Sequence, residues 1–242
     1  MFIIAPNGID PNMFIGQSKG LEPLSNLVRD QYLMINTSSP DRSLTASLDI
    51  FDEVKKAIPQ AKLKWAYGWG IFNIVHNDNP EVMEWKRKMV ERMKNTEGIE
   101  ELGMISHEEV ASIYKQANIF LYPAEFAEID CISLTKAMAA GAIPITTDFS
   151  AMGEKIIKPG VYFHSNKTKD NWCPGGKFDF SLEDPLIKKE MAEKAIELLR
   201  NPPSEESRAD MRNWAIENYD WELITDKWEQ EIQRSLVKQI EK

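Results

Sequence analysis

Residues 106–147 read SHEEVASIYKQANIFLYPAEFAEIDCISLTKAMAAGAIPITT. Ser106, followed three residues later by Glu109, is a capping-box signature and opens a helix over 106–117. The apolar run NIFLYP (118–123) has strand length and no helical period, as expected of a strand buried on both faces. A loop carrying Glu125 and Glu128 leads into a second helix-like run that stops at Gly141, and AIPITT (142–147) is another apolar strand. Strands joined through a helix run parallel, with a right-handed crossover.

The same alternation extends outward. QYLMINTS (31–38) reads as a strand. In the helix predicted over 43–59, Leu44, Leu48, Phe51, Val54 and Ile58 share a face and Pro59 marks the end. AKLKWAYGWG (61–70) reads as a strand ending in glycines. The helix 79–95 has Asn79 as its cap and Pro80 in its first position. Strands follow at 98–105 and 161–164, and three helices close the chain at about 184–200, 203–218 and 221–239. The expectation is an α/β protein of one domain over 1–242, a doubly wound parallel sheet of Rossmann-like type with extra C-terminal helices. The stretch 165–180 is the one long irregular loop. Ligands of such sheets sit beyond the carboxyl ends of the strands. That rule singles out Thr37–Arg42, Tyr67–Gly70, Met104–His107, Pro123–Ile132 and Thr147–Met152.

Composition narrows the function classes. A chain of 242 residues, 43% of them hydrophobic, can bury a substantial core. Its net charge of −9 and pI near 5.0 lack the basic footprint of a nucleic-acid binder. Cys131 and Cys173 belong to no CxxC pair, so neither a zinc site nor a disulfide framework is expected. No apolar run is long enough for an integral membrane segment, and the first residues lack the pattern of a signal peptide. The expected location is cytoplasmic.

Two stretches offer chemistry. TSSPDRS (37–43) supplies Ser38, Ser39, Arg42 and the N–H groups of a helix start, a combination suited to phosphate; the plainer reading is that Ser39 or Asp41 caps the helix and Arg42 is solvated. EFAEIDCISLTKAMAAG (125–141) places carboxylates before a helix that Asp130 or Ser133 would cap. A carboxylate beside a bound diphosphate would be repelled, so Glu128 suits neutral hydroxyls such as those of a sugar. The plainer reading is a helix dipole stabilised by acidic residues. On a continuous helix, Glu128 and Lys136 would stand about 12 Å apart and touch opposite ends of one ligand. The three histidines form no cluster at metal spacing, and His107 reads as surface. Trp65, Tyr67 and Trp69 read as core or rim packing.

Together these stretches resemble the C-terminal, donor-binding half of a family-4 glycosyltransferase with the two-domain GT-B fold. PNGID with Phe14 resembles the passage from the acceptor domain, so residues 1–25 are expected to arrive from an N-terminal acceptor domain absent from this chain. Residues 102–148 resemble the family's longest signature, including Glu-x7-Glu, and 219–242 its closing helix. The resemblance implies a nucleoside diphosphate sugar as donor (UDP or GDP), no cofactor or metal, and an acceptor glycan or other hydroxyl compound. It implies that Arg42 grips the diphosphate with Ser38 and Ser39, and that Glu128 contacts the donor sugar. The main chain of Asp130, Cys131 and Ile132 would meet sugar and diphosphate, and Met104 and Ile105 would lie against the base. Position 136, where the family places a ribose-binding glutamate, is lysine; Lys136 cannot accept from ribose, but it can donate to a ribose oxygen or pair with a phosphate. Thr37 stands where many members have arginine. The closing helix would expose Trp221, Ile224 and Trp228.

The function implied is retaining transfer of a sugar, with Glu128 and Arg42 as the catalytic pair, in glycan or polysaccharide biosynthesis. One rival is a non-catalytic nucleotide-sugar-binding module or partner of a complete transferase. Another is a GT-B epimerase or phosphorylase, for which the sequence shows no further acid/base set.

Overall fold

The computed structural model describes residues 6–15, 28–166 and 178–240. Most of the 165–180 loop, Cys173 and much of the 1–25 segment lie outside the described residues.

Six strands, β1 (Asp30–Asn36), β2 (Lys62–Ala66), β3 (Ile99–Gly103), β4 (Ala117–Tyr122), β5 (Ile143–Thr147) and β6 (Val161–Phe163), form one parallel sheet in the order β3-β2-β1-β4-β5-β6. The order reverses between β1 and β4, which makes the crevice above those two strands the topological switch point. The helices are α1 (Asn12–Ile15), α2 (Pro40–Ala57), α3 (Gly70–His76), α4 (Pro80–Asn95), α5 (His107–Gln116), α6 (Ile132–Ala139), α7 (Pro185–Arg200), α8 (Glu205–Tyr219) and α9 (Trp221–Ile240).

The pleat divides the core. Met34, Ile119 and Leu121 face a cluster built with α2, α4 and α7. Their neighbours Leu33, Ile35, Phe120 and Tyr122 face a second cluster built with α1, α5, α6 and α8. β4 and β5 are buried throughout, in keeping with their unbroken apolar runs.

Several local expectations change. β2 ends at Ala66, and 70–76 is a helix where the sequence pattern suggested a strand running to Gly70. Gly68 turns the chain with φ +72, and Trp69 then packs edge-on to Trp65, Phe72 and Trp85. α2 begins at Pro40, three residues before the predicted start. In α9, Ile224 is buried, whereas Trp221 and Trp228 are exposed as expected.

Candidate functional site

The crevice begins with how β1 ends. Asn36 is buried, with its side chain donating to Ser43 and Ser47 Oγ and accepting from the Ser38 amide. Trp65 Nε1 donates to the Ser38 carbonyl at 3.1 Å. The turn into α2 is thus fixed from below. Ser39 is the N-cap of α2 but makes no side-chain cap bond, and neither does Asp41, contrary to the plainer sequence reading.

The start of α6 is also uncapped. Its N-cap is Cys131, in the left-handed conformation (φ 55, ψ 67), with no side-chain cap bond. Neither Asp130 nor Ser133 caps it. Both Asp130 oxygens are used elsewhere: one accepts from the Asn7 amide at 2.6 Å, the other pairs with Lys155. The first N–H groups of α6 therefore keep their positive potential at the crevice.

Between the two helix starts, Arg42 Nη1 meets Glu128 Oε1 at 2.7 Å, and Tyr122 donates to the same oxygen. The guanidinium lies 4.3 Å over the Phe126 ring. Burial by itself lowers the Arg42 pKa, but the charge and hydrogen bond of Glu128, with Tyr122 and Asp41, together outweigh it and the net shift is upward. Burial pushes the Tyr122 phenol far up, so it stays a donor. Burial, with the Glu128 charge adding, pushes the Cys131 thiol up to about 12. The expected solvation of Arg42 is corrected: it is clamped. So is the two-turn geometry, because α6 starts at Ile132 and Glu128 stands in the preceding loop, its carbonyl held by Ser150 Oγ at 2.7 Å.

Two cavities adjoin here. One, of about 470 Å³, is lined by Ser38, Ser39, Arg42, Glu128, Asp130, Cys131 and Ile132, with Ile129 at its mouth. The other, of about 280 Å³, is lined by Met104, Ile105, His107, Tyr114 and Lys136. Thr37, Tyr67 and Ser133 belong to both. Every sequence-predicted site residue thus lies along one continuous crevice. Glu125 does not line it; that carboxylate is buried and accepts from Ser165 Oγ at 2.8 Å.

Lys136 is half-buried, and its Nζ lies 3.0 Å from His107 Nδ1. Burial lowers its pKa. Sequence reasoning did not pair His107 with Lys136 and gave no role to Tyr122, Phe126 or Asn7, although His107 and Phe126 lie in stretches that the strand ends single out. Among the described residues no group of three His, Cys, Asp or Glu side chains could hold a metal ion, and no helix is long and apolar enough to cross a membrane.

A family model described as glycosyl transferases group 1 matches residues 24–218. No curated protein matches the chain in sequence comparison. Among solved structures, sucrose-phosphate synthase from Thermosynechococcus elongatus superposes with a TM-score of 0.67 at 15% identity, over 98% of this chain and 53% of its own. A glycosyltransferase from Rickettsia africae gives 0.66 at 14%, over 98% and 57%. Anabaena Alr3699/HepE, solved with UDP-glucose, gives 0.64 at 12%, over 98% and 57%. The chain thus spans little more than half the length of these three.

Proposed function

The chain belongs to the group 1 glycosyl transferases, and from that premise we propose that it is the donor-binding half of a retaining, family-4-like GT-B transferase. It would bind a nucleoside diphosphate sugar and present the sugar to an acceptor hydroxyl held by a second, N-terminal-type domain.

The observation that carries the reading is the Arg42–Glu128 pair at the switch point, set between two helix starts without side-chain caps. A diphosphate has acceptors on all sides and needs a guanidinium and free N–H groups. A sugar has hydroxyls to donate and needs a carboxylate. One crevice offers both, side by side. Arg42 and the α6 N-terminus stabilise charge developing on the leaving diphosphate. Glu128 holds the sugar, and the clamp on Glu128 from Tyr122 and Ser150 fixes where the anomeric carbon sits. In retaining transfer the acceptor oxygen bonds to the anomeric carbon on the face that the phosphate leaves, and the departing phosphate oxygen takes the hydroxyl proton. No side chain of this half needs to act as a base, and no metal or cofactor is given a role.

The test is calorimetric titration with UDP, GDP and ADP. One nucleotide is expected to bind saturably. Arg42→Ala is expected to weaken it by about 1.5–3 kcal/mol, the range for a hydrogen bond to a charged group. Equal binding by the variant would remove Arg42 from the site. Lys136, in place of an acceptor, favours one second reading, a binding module without turnover. It predicts nucleotide affinity but no transfer even when an acceptor domain is supplied.

A further inference from the structure

The cavity beside β3 holds a lysine and no carboxylate. Its polar lining is Lys136, His107, Thr37, Tyr67, Tyr114 and Ser133, set beside apolar side chains that include Met104 and Ile105. Ribose hydroxyls are best held by acceptors, and an ammonium has only protons to give. The Lys136 ammonium lies 3.0 Å from His107 Nδ1, so the two side chains stand together at the cavity wall. Elsewhere in this crevice Arg42 faces Glu128 and Lys155 faces Asp130. Among the described residues Lys136 is in no ion pair, and burial lowers its pKa with no acid offsetting it. A half-buried ammonium without a counter-charge is costly, and a bound anion relieves the cost.

We propose that Lys136 and His107 form a phosphate subsite at the β3 end of the crevice, so that the group held there is a phosphate ester and not a neutral diol. The inference rests on the donor-site reading and gives that ligand a second phosphate contact. The two cavities share Thr37, Tyr67 and Ser133, so the subsite adjoins the cavity that Arg42 lines. The phosphate is either the one nearest the nucleoside or one carried on the ribose.

The experiment titrates wild type, Lys136→Met, Lys136→Glu, Lys136→Arg and His107→Gln with the 5′-mono-, 5′-di- and 3′,5′-bisphosphates of the base that binds best. Lys136→Met and Lys136→Glu are expected to weaken binding about 10- to 100-fold. Lys136→Arg, which keeps the charge, is expected to stay near wild type. His107→Gln alters an exposed side chain and is expected to weaken binding several-fold, which covers the case of a poorly folded Lys136 variant. Dependence on Lys136 already in the 5′-monophosphate assigns the nucleoside-proximal phosphate; dependence only in the bisphosphate assigns one on the ribose. If Lys136→Glu binds as well as wild type or better while Arg42→Ala still loses affinity, the subsite is wrong and the donor reading stands. If wild type binds no nucleotide, the donor reading falls, and inorganic pyrophosphate decides the subsite. Shifts of the His107 ring signals by NMR that vanish in Lys136→Met keep the subsite, and unchanged signals overturn it.

Discussion

Glu128 is held by its side chain to the Arg42 guanidinium and the Tyr122 hydroxyl and by its carbonyl to Ser150 Oγ and the Ala151 amide. Glu128→Gln removes the charge and keeps the shape. Arg42 is then freed for phosphate, so affinity for the free nucleoside diphosphate is expected to hold or rise. Affinity for the nucleotide sugar is expected to fall about tenfold, since an amide is a weaker acceptor for sugar hydroxyls. Calorimetry with both ligands checks this, and equal losses would place Glu128 away from the sugar. Cys131 offers a pH test. Its folded pKa, about 12, lies above the ordinary value of 9.0, so the folded state holds the thiol proton more tightly than the unfolded chain. By linkage its contribution is fully present below pH 9 and is lost as pH rises toward 12. Urea midpoints in this window are expected to fall less steeply for Cys131→Ala than for wild type, with the raised Tyr114 and Tyr122 pKa values leaving a residual slope in both. Most residues of the crevice were legible in the sequence because they follow a strand; Lys136, inside α6, was reached through the family resemblance. Their pairing was not, since Arg42 and Glu128 are 86 positions apart and His107 and Lys136 are 29 apart. No local period encodes such contacts.

Among the elements, α6 shows what sequence patterns capture and what they omit. Its end was legible. Gly141 has φ +80, and the Ala142 and Gly141 amides close back on the Ala137 and Met138 carbonyls at 2.9 Å, the Schellman arrangement that glycine allows. A Cβ there would also meet the Arg212 and Arg29 guanidiniums at 2.6 and 2.9 Å. Gly141→Ala is therefore expected to cost about 1–2 kcal/mol from the left-handed backbone alone. The measurement is a urea titration. An unchanged midpoint would show that the turn relaxes freely. The start of α6 was not legible. Asp130 and Ser133 are better caps by propensity than Cys131, but Asp130 is drawn away by Lys155 and by the Asn7 amide, so tertiary pairing overrides local preference. α3 was missed for a related reason. Its seven residues, which begin at Gly70 just after Gly68, carry too short a pattern, and Trp69 and Phe72 are placed by Trp65 and Trp85 from other elements.

For the whole molecule, the parallel, doubly wound sheet was already implied by the alternation of strands and helices, because right-handed crossovers leave few arrangements, whereas the strand order that sets the switch point was not. What the alternation does not contain is the tie between the crevice and the far end of the chain. The segment before α1 bonds to the α8–α9 junction, with Ile9 N donating to the Tyr219 carbonyl at 2.6 Å and Trp221 N to the Ile9 carbonyl at 3.0 Å. Asn7 in that segment donates to Asp130, Asp130 pairs with Lys155, and the Lys155 ammonium lies 4.3 Å over the Tyr219 ring. One buried ion pair thus joins the leading segment, the start of α6 and the end of α8. Removing one partner leaves the other charged and buried, which costs about 3–5 kcal/mol, whereas removing both charges costs far less. Lys155→Met is therefore expected to be strongly destabilised and to bind nucleotide poorly, because an unpaired Asp130 carboxylate then lies beside the phosphate. Lys155→Met with Asp130→Asn is expected to recover most of the stability and, with the negative charge gone, the nucleotide affinity. The four-member cycle is read by urea denaturation and by titration of the binding nucleotide. Additive losses in the double variant would mean that the pair is not a unit and that the crevice is shaped independently of the chain's two ends.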